Sequence, residues 1–487
     1  ERFGASEFNF HPESYQIPGD LERLRYDAES DPDAKWCGFR RQLMVTSVHM
    51  CMYVCACMRG CVPVCLSRCI LCRILKPGYG GRGQGIQLLP PHPQLFPALT
   101  EATSEGEWLV QRYIPNPLLI NGTKFTCRLY VLVTGIAPLR VYLHQEGVVK
   151  FCASAFSSDS AEFGAEHANK HITNEAFNKH HPEFRVSMDA GVDDFGRYVS
   201  VHINNIFFCC ALFTYHGCFR VCARSRWSLS ALRRHISTHY SPAAEQQLWS
   251  DISAAAANAI IAMYPSMIQQ AQRANSPECP GCFQLLGVDF DIDDTLKPWF
   301  IEANVNPSLG HSTAPFDNAN KAVLLREVLD VVRVVAHNST AEIAAIAAQL
   351  RSHEAHILPA LSAHSQQLIL AEPDRAWHAL ALAVYEQRHS VGFDPVLPSP
   401  DPQRRTAQLS MLKERGVVSV GAHSGSGRKG QVSHNSAVGA MSELNELLFD
   451  FAAMVRVAFA EQHGCVAVDA VDAVDAVDAA VGAAVSS

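Results

Sequence analysis

Two short stretches of strict alternation carry the side chains best suited to chemistry. Leu286, Val288, Phe290 and Ile292 alternate with Gly287, Asp289 and Asp291, while Trp299, Ile301, Ala303 and Val305 alternate with Phe300, Glu302 and Asn304. Successive side chains of a strand point to opposite faces, so each stretch has one apolar and one polar side. A turn centred near Thr295 and Leu296 sets Asp289 opposite Glu302 and Val288 opposite Ala303. The polar face then gathers Asp289, Glu302 and Asn304. Two carboxylates and an amide oxygen are hard donors that suit Mg²⁺, which is normally completed by water and substrate phosphates. A solvated sheet face would show the same pattern. Asp291, Asp293 and Asp294, nearer the turn, are read that way, whereas Pro307 and the long helical region behind it argue that Asp289 and Glu302 are buried.

A second candidate is the run Lys76-Pro-Gly-Tyr-Gly-Gly-Arg82-Gly83-Gln-Gly, with five glycines in eight residues. Such loops let backbone N–H groups approach phosphates closely. Gly78, Gly80 and Gly83 match G-x-G-x-x-G, but Pro90 and Pro91 follow too soon for the helix that a dinucleotide fold requires. No G-x-x-x-x-G-K-[ST] is present, and Asp194-Phe-Gly lacks the H-R-D that a kinase would place before it. A glycine loop flanked by strands, beside Lys76, fits a nucleotide site under a β-hairpin flap; a plain surface loop is the alternative. Lys124 and Arg128, with Arg128 opening a strand, add the fixed cations that phosphoryl transfer needs, though either alone reads as a surface charge.

The elements that must hold these groups follow from patterning. Strands are expected at 108–114 and 128–134, and a hairpin of 139–144 with 148–152. Trp227–His235, Ala243–Ala274, 318–336 and 340–386 read as helices. Residues 387–440 read as loop, and the Val-Asp-Ala repeats at 466–481 as low complexity. The 487 residues amount to about three domains' worth of chain. With 48% hydrophobic and 18% charged residues the composition is that of a folded protein with a sizeable core. A net charge of −8 argues against a chain built to coat nucleic acid or an anionic membrane, so an acidic partner must meet a local basic groove. No run of ~18 apolar residues exists, and the chain reads as soluble. Of 17 cysteines, eight lie in 37–72 and four in 199–226, which leaves the rest resembling a reduced, cytosolic protein. Cys69-x-x-Cys72 with Cys279-Pro-Gly-Cys282 offers a zinc pairing, but the separation is unlike a compact zinc ribbon.

Taken together, the segments resemble the tubulin–tyrosine ligase-like family, and most nearly its polyglutamylase branch. The matching stretches are Phe8-Asn-Phe-His-Pro-Glu-Ser-Tyr, Ile74-Leu-Lys-Pro, Arg82-Gly-Gln-Gly-Ile, Val110-Gln-Arg-Tyr-Ile, Lys124-Phe, Arg128-Leu-Tyr-Val-Leu-Val and Pro138-Leu-Arg-Val-Tyr-Leu. They continue through His171-Ile-Thr-Asn, Asn178-Lys, Trp227-Ser-Leu-Ser-Ala-Leu, Leu286-Gly-Val-Asp and Lys297-Pro-Trp-Phe-Ile-Glu-Ala-Asn-Val-Asn-Pro-Ser-Leu. The resemblance implies an α/β, ATP-grasp-like fold of antiparallel sheets with flanking helices. It would span 1–335, followed by a helical extension at 336–390 and a largely disordered tail at 391–487. The Cys-rich blocks at about 37–73 and 199–226 each split a family motif, and read as insertions or translated intron.

The implied roles are as follows. Lys76 contacts the α- and β-phosphates, while Arg82 and Gly83 belong to the phosphate loop. Gln111, Arg112, Tyr113 and Ile114 line the adenine pocket, and Lys124 and Arg128 steady triphosphate and intermediate. His171, Thr173 and Asn174 complete the ATP site, and Asp289, Glu302 and Asn304 hold Mg²⁺. Lys76, Lys124, Arg128 and Glu302 form the catalytic set. The implied reaction is ATP-dependent ligation through an acyl phosphate, with glutamate side chains of acidic tubulin tails and free glutamate as substrates. Glycine or tyrosine ligation, or non-catalytic tubulin binding, are the alternatives. Microtubules in the cytoplasm, and the cilium or basal body, are the expected setting, with neither nucleic acid nor membrane as partner. Arg82, Arg140, Lys150 and Lys179 are candidates for a basic path toward the tail. One departure stands out: where the family pattern has Asp after Lys-Phe, this chain has Thr126, which is expected to weaken nucleotide contact.

Overall fold

The computed structural model describes residues 9–30, 73–77, 86–89, 107–159, 162, 165–174, 178, 181, 226–274, 281–312, 315–334, 339–418 and 442–455. The glycine loop 78–85 with Arg82 and Gly83, Lys179, the Cys-rich blocks, Cys279 and the Val-Asp-Ala repeats lie outside these residues.

Two antiparallel sheets organise the described chain, with the helix α1 (Leu21–Ser30) following the first strand. The smaller is ordered β1 (Ser14–Ile17), β4 (Trp108–Arg112), β2 (Arg73–Pro77), β3 (Gln87–Leu89). The larger runs β11 (Pro298–Asn304), β10 (Gln284–Ile292), β6 (Thr123–Ile136), β7 (Leu139–His144), β12 (Phe393–Leu397). Two short strands, β5 (Leu119–Ile120) and β8 (Val148–Phe151), also pair with β6, and β9 (Arg226–Ser228) pairs with β8.

Parity along β6 explains how one strand serves both core and chemistry. Phe125, Cys127, Leu129, Val131 and Val133 enter the main core beneath α2 (Leu229–His239) and α3 (Pro242–Arg273), with Leu248, Ile252, Ile260 and Tyr264. On the opposite face Tyr130 and Leu132 pack under Leu324 and Val328 of α4 (Pro315–Val331). Lys124, Thr126 and Arg128 continue that second face toward the strand's start. β6 therefore begins at Thr123 rather than at Arg128, and it carries all three residues along one side.

The long α3 starts where Ser241 accepts a hydrogen bond from the Ala244 amide and Pro242 stands at the first turn, an arrangement that caps free N–H groups. Beyond α4, the stretch expected to be helical at 340–386 is built from four helices: α5 (Ser339–Ser352), α6 (Glu354–Ala360), α7 (Ala363–Ala371) and α8 (Pro373–His389). The break before Pro373 is where proline's missing donor and fixed φ favour a new start.

Three sequence expectations are corrected here. β7 and β8 do not pair as a hairpin: β7 lies along Val131–Ile136 and β8 along Phe125–Arg128, end to end on the same long partner. Residues 387–440 are not all loop, because β12 adds an edge to the sheet and α9 (Pro402–Val418) packs on the core through Met411 and Leu412. The helical segment 442–455 likewise buries Leu444, Leu447, Phe449 and Phe451, so part of the expected disordered tail is folded domain.

Candidate active site

The β10–β11 register is the one that alternation requires: Asp289 pairs with Glu302, Val288 with Ala303 and Gly287 with Asn304. A bulge follows, pairing Phe290 with Phe300, so Ile301 is the extra residue and Phe300 reaches the Phe290 ring edge-on. At the turn Asp293 is structural. Its Oδ1 accepts from the Thr295 and Lys297 amides at 3.0 Å each, and Leu296 takes φ +64°. The Trp299 indole N–H donates to its other oxygen at 2.8 Å.

Neighbouring strands then bring cations onto the Asp289 face. Arg128, directly opposite Asp289 on β6, donates through Nε at 2.5 Å and Nη2 at 2.8 Å. Gly287 makes room for this guanidinium, since a Cβ there would lie 3.1 Å from Arg128 Cδ and 2.8 Å from Pro307 Cβ. Lys150, paired with Thr126 on β8, places Nζ 3.3 Å from both Asp289 oxygens. Burial opposes a charge on Asp289, yet Lys150 and Arg128 outweigh it and hold the carboxyl below the usual range. Lys150 is thus a buried ion-pair partner rather than a surface charge on a path for acidic tails.

One pleat further along, Lys124 Nζ sits 2.9 Å from Asp291 Oδ2, both groups being almost completely buried. Thr126 donates to Asp291 Oδ1 at 2.6 Å, and Thr173 donates to Thr126 at 2.9 Å. Asp291 is therefore no solvated sheet residue; it is 5% exposed and central to this cluster. Desolvation disfavours the Lys124 charge, but Asp291 overrides it and raises the pKa. Lys124 also donates to the His171 carbonyl at 3.3 Å and lies 4.9 Å from the Tyr113 ring centre. The Tyr113 hydroxyl and His171 Nδ1 are 3.1 Å apart. Burial first, and Lys124 second, push the His171 pKa down to about 4, so its ring is neutral at physiological pH.

Lys76 arrives from the smaller sheet. Gln111 on β4, diagonal to it across the β2–β4 pair, accepts from Nζ at 3.0 Å. Burial lowers the Lys76 pKa, against the opposing pull of Glu302, Asp291 and Asp289 in that order. Arg112 is exposed, on the other side of β4 from buried Gln111, while Ile114 is buried and Asn174 half-buried.

The carboxyl face fits a magnesium ion by donor chemistry. Exposed Glu302 lies beside Asn304, whose amide nitrogen is 3.1 Å from Glu302 Oε1, and across the pair from Asp289. Each Asp289 oxygen already accepts from one Arg128 nitrogen and, at a longer 3.3 Å, from Lys150, so a cation at Asp289 would take the place of the Lys150 contacts. Among the described residues no group of three or more His, Cys, Asp or Glu side chains could hold a metal by itself. Asn304, water and substrate oxygens would complete the shell, as Mg²⁺ customarily requires.

Arg140, another candidate for the basic path, is elsewhere. It is 4% exposed and clamped to Glu386 of α8, at 2.7 Å through Nε and 3.1 Å through Nη2. Thr134 and Tyr142 donate to the same carboxylate. The reading is corrected: Arg140 ties α8 to the sheet.

Buried and half-buried lysines and an arginine thus interleave with carboxylates on one face between the two antiparallel sheets. The sequence matches the Tubulin-tyrosine ligase family over residues 2–192 and 214–342, and the chain belongs to that family, with its ATP-grasp-like α/β fold. It is 28% identical over 341 residues to the tubulin monoglutamylase TTLL4 of Homo sapiens, covering 69% of this chain and 22% of that protein. Against the tubulin polyglutamylase TTLL5 of Mus musculus it is 31% identical over 268 residues, 54% of this chain and 17% of the other. The probable beta-tubulin polyglutamylase of Tetrahymena thermophila matches at 29% over 261 residues, 53% and 19% of the two chains. The chain thus spans about a fifth of the length of these curated relatives. Among the described residues, no helix is long and apolar enough to cross a membrane.

Proposed function

We propose that the chain is an ATP-dependent carboxylate–amine ligase that adds free glutamate to glutamate side chains of tubulin tails on microtubules, at the cytoskeleton of cytoplasm or cilium. One observation carries the reading. Lys76 from one sheet and Lys124 from the other converge on the same carboxylate-lined face, and two fixed cations beside a metal-suited carboxyl set are what phosphoryl transfer needs. The names of the relatives supply the substrate class.

In the proposed reaction a tail carboxylate attacks the γ-phosphorus of ATP, giving an acyl phosphate and ADP. The amino group of free glutamate then attacks the acyl carbon, phosphate leaves with the bonding pair, and an amide remains after a proton is lost. Lys76 and Lys124 offset charge on the phosphate oxygens, and Arg128 both holds Asp289 and steadies the intermediate. Asp289, Glu302 and Asn304 would hold Mg²⁺, whose contribution is Lewis-acid polarisation of phosphoryl oxygens. Tyr113, His171 and Thr173 close the nucleotide end around Lys124, with His171 neutral and therefore adding no charge of its own.

The test is an incorporation assay with purified protein, ATP, Mg²⁺, assembled microtubules and, in separate reactions, labelled glutamate, glycine or tyrosine. Glutamate incorporation that needs both ATP and Mg²⁺ supports the proposal. Glycine or tyrosine incorporation would reassign the amine substrate, and microtubule binding without incorporation of any of the three would make the chain a non-catalytic binder.

A further inference from the structure

Asp291 is the one buried carboxylate of the site that none of the roles above uses. It stands where three pieces of chain meet: Lys124 and Thr126 of β6, its own strand β10, and Thr173 of the segment after β8. Its two oxygens are divided between two tasks. Oδ2 pairs with Lys124 at 2.9 Å, and Oδ1 terminates the chain of hydrogen bonds from Thr173 through Thr126, at 2.9 and 2.6 Å. An ammonium group as deeply buried as that of Lys124 would shed its proton without a nearby anion. Residue 126, two positions along the same face from Lys124, is a hydroxyl in this chain and carries no charge. The hydroxyl points its proton at Asp291, so the negative charge for this corner comes from β10 instead of β6.

We propose that Asp291 is a positioning residue of the nucleotide site, aiming Lys124 through their 2.9 Å ion pair and supplying from β10 the carboxylate that position 126 lacks. The proposal rests on the ATP-ligase reading above. It makes positions 126 and 291 interchangeable hosts for one charge: a single carboxylate at either serves Lys124, two repel each other across ~3 Å, and none leaves the lysine unpaired.

The experiment measures Mg²⁺-ATP affinity by titration calorimetry, with thermal melting as a fold control, on the full chain. The four proteins are wild type, Asp291→Asn, Thr126→Asp and Thr126→Asp/Asp291→Asn. Loss of one charge-assisted contact corresponds to about ten- to a hundredfold weaker binding, so Asp291→Asn should fall in that range. Thr126→Asp alone should also weaken binding, by about tenfold, whereas the double variant should return to within about threefold of wild type. That reversal of sign is a readout that a merely structural asparagine defect would not produce. Wild-type affinity in Asp291→Asn, or a double variant as damaged as Asp291→Asn in binding or in folding, overturns the proposal. A wild-type chain that binds no Mg²⁺-ATP removes the ligase reading itself and this proposal with it, which separates the two failures.

Discussion

Arg128 and Asp289 face each other across β6 and β10 in a two-pronged ion pair, Nε to Oδ1 and Nη2 to Oδ2, with both side chains largely buried. Lys150 completes the set from β8, so one carboxylate links three strands before any ligand arrives. Removing one partner of a buried pair costs about 3–5 kcal/mol where the other charge is left uncompensated, and Lys150, at 3.3 Å, replaces Arg128 only in part. Arg128→Met is therefore expected to lower unfolding free energy by about that amount in urea titration. A change below about 1 kcal/mol would mean that Lys150 alone satisfies Asp289.

The same pair has a pH signature. Asp289 titrates below the usual carboxyl range when folded, so the unfolded chain binds the proton more readily. Its contribution is fully present above the unfolded value near ~3.9 and is lost as pH falls through the lower folded value. Asp289→Asn should flatten the acid limb of a stability–pH curve measured by melting. An unchanged acid limb in that variant contradicts the assignment.

Glu302 is exposed and makes its described contact only with Asn304, so Glu302→Gln should leave the melting temperature within a few degrees of wild type. Mg²⁺-dependent ATP turnover should fall at least a hundredfold, because one anionic donor is lost from the metal face. Turnover at the wild-type rate would place the metal elsewhere.

How far the sequence disclosed this site depends on which neighbours a residue needs. The Asp289–Glu302 pairing is legible because both strands and their turn are local, and period-two alternation leaves little choice of register. Asp291 obeys the same alternation, yet its burial is decided by Lys124 and Thr126, more than 160 residues away in the chain. Lys150 and Arg140 escape a sequence reading for the same reason: their partners Asp289 and Glu386 are distant in sequence, and charge alone reads as solvent-facing. β12 is masked by Pro395, which a sheet accepts at an edge such as the one β12 occupies beside β7.

Lys76 offers a prediction at alkaline pH. Burial lowers its pKa, and only the charged form attracts phosphate. In the free protein ATP affinity should therefore decline as pH rises at values below the ordinary lysine range. Lys76→Arg, which stays protonated, should abolish that decline even if affinity at neutral pH is reduced. Identical alkaline profiles for the two proteins would show that another group controls it.

The central claim is that the two lysines and the carboxyl face act together on ATP to form an amide. Its most direct measurement is transfer of labelled glutamate to microtubules by purified wild-type chain and by Lys124→Met, each with and without ATP-Mg²⁺. The account predicts ATP- and Mg²⁺-dependent incorporation by wild type and at least a hundredfold less by the folded variant. Incorporation that persists in Lys124→Met, or its complete absence from folded wild type with glutamate, glycine and tyrosine alike, would contradict it.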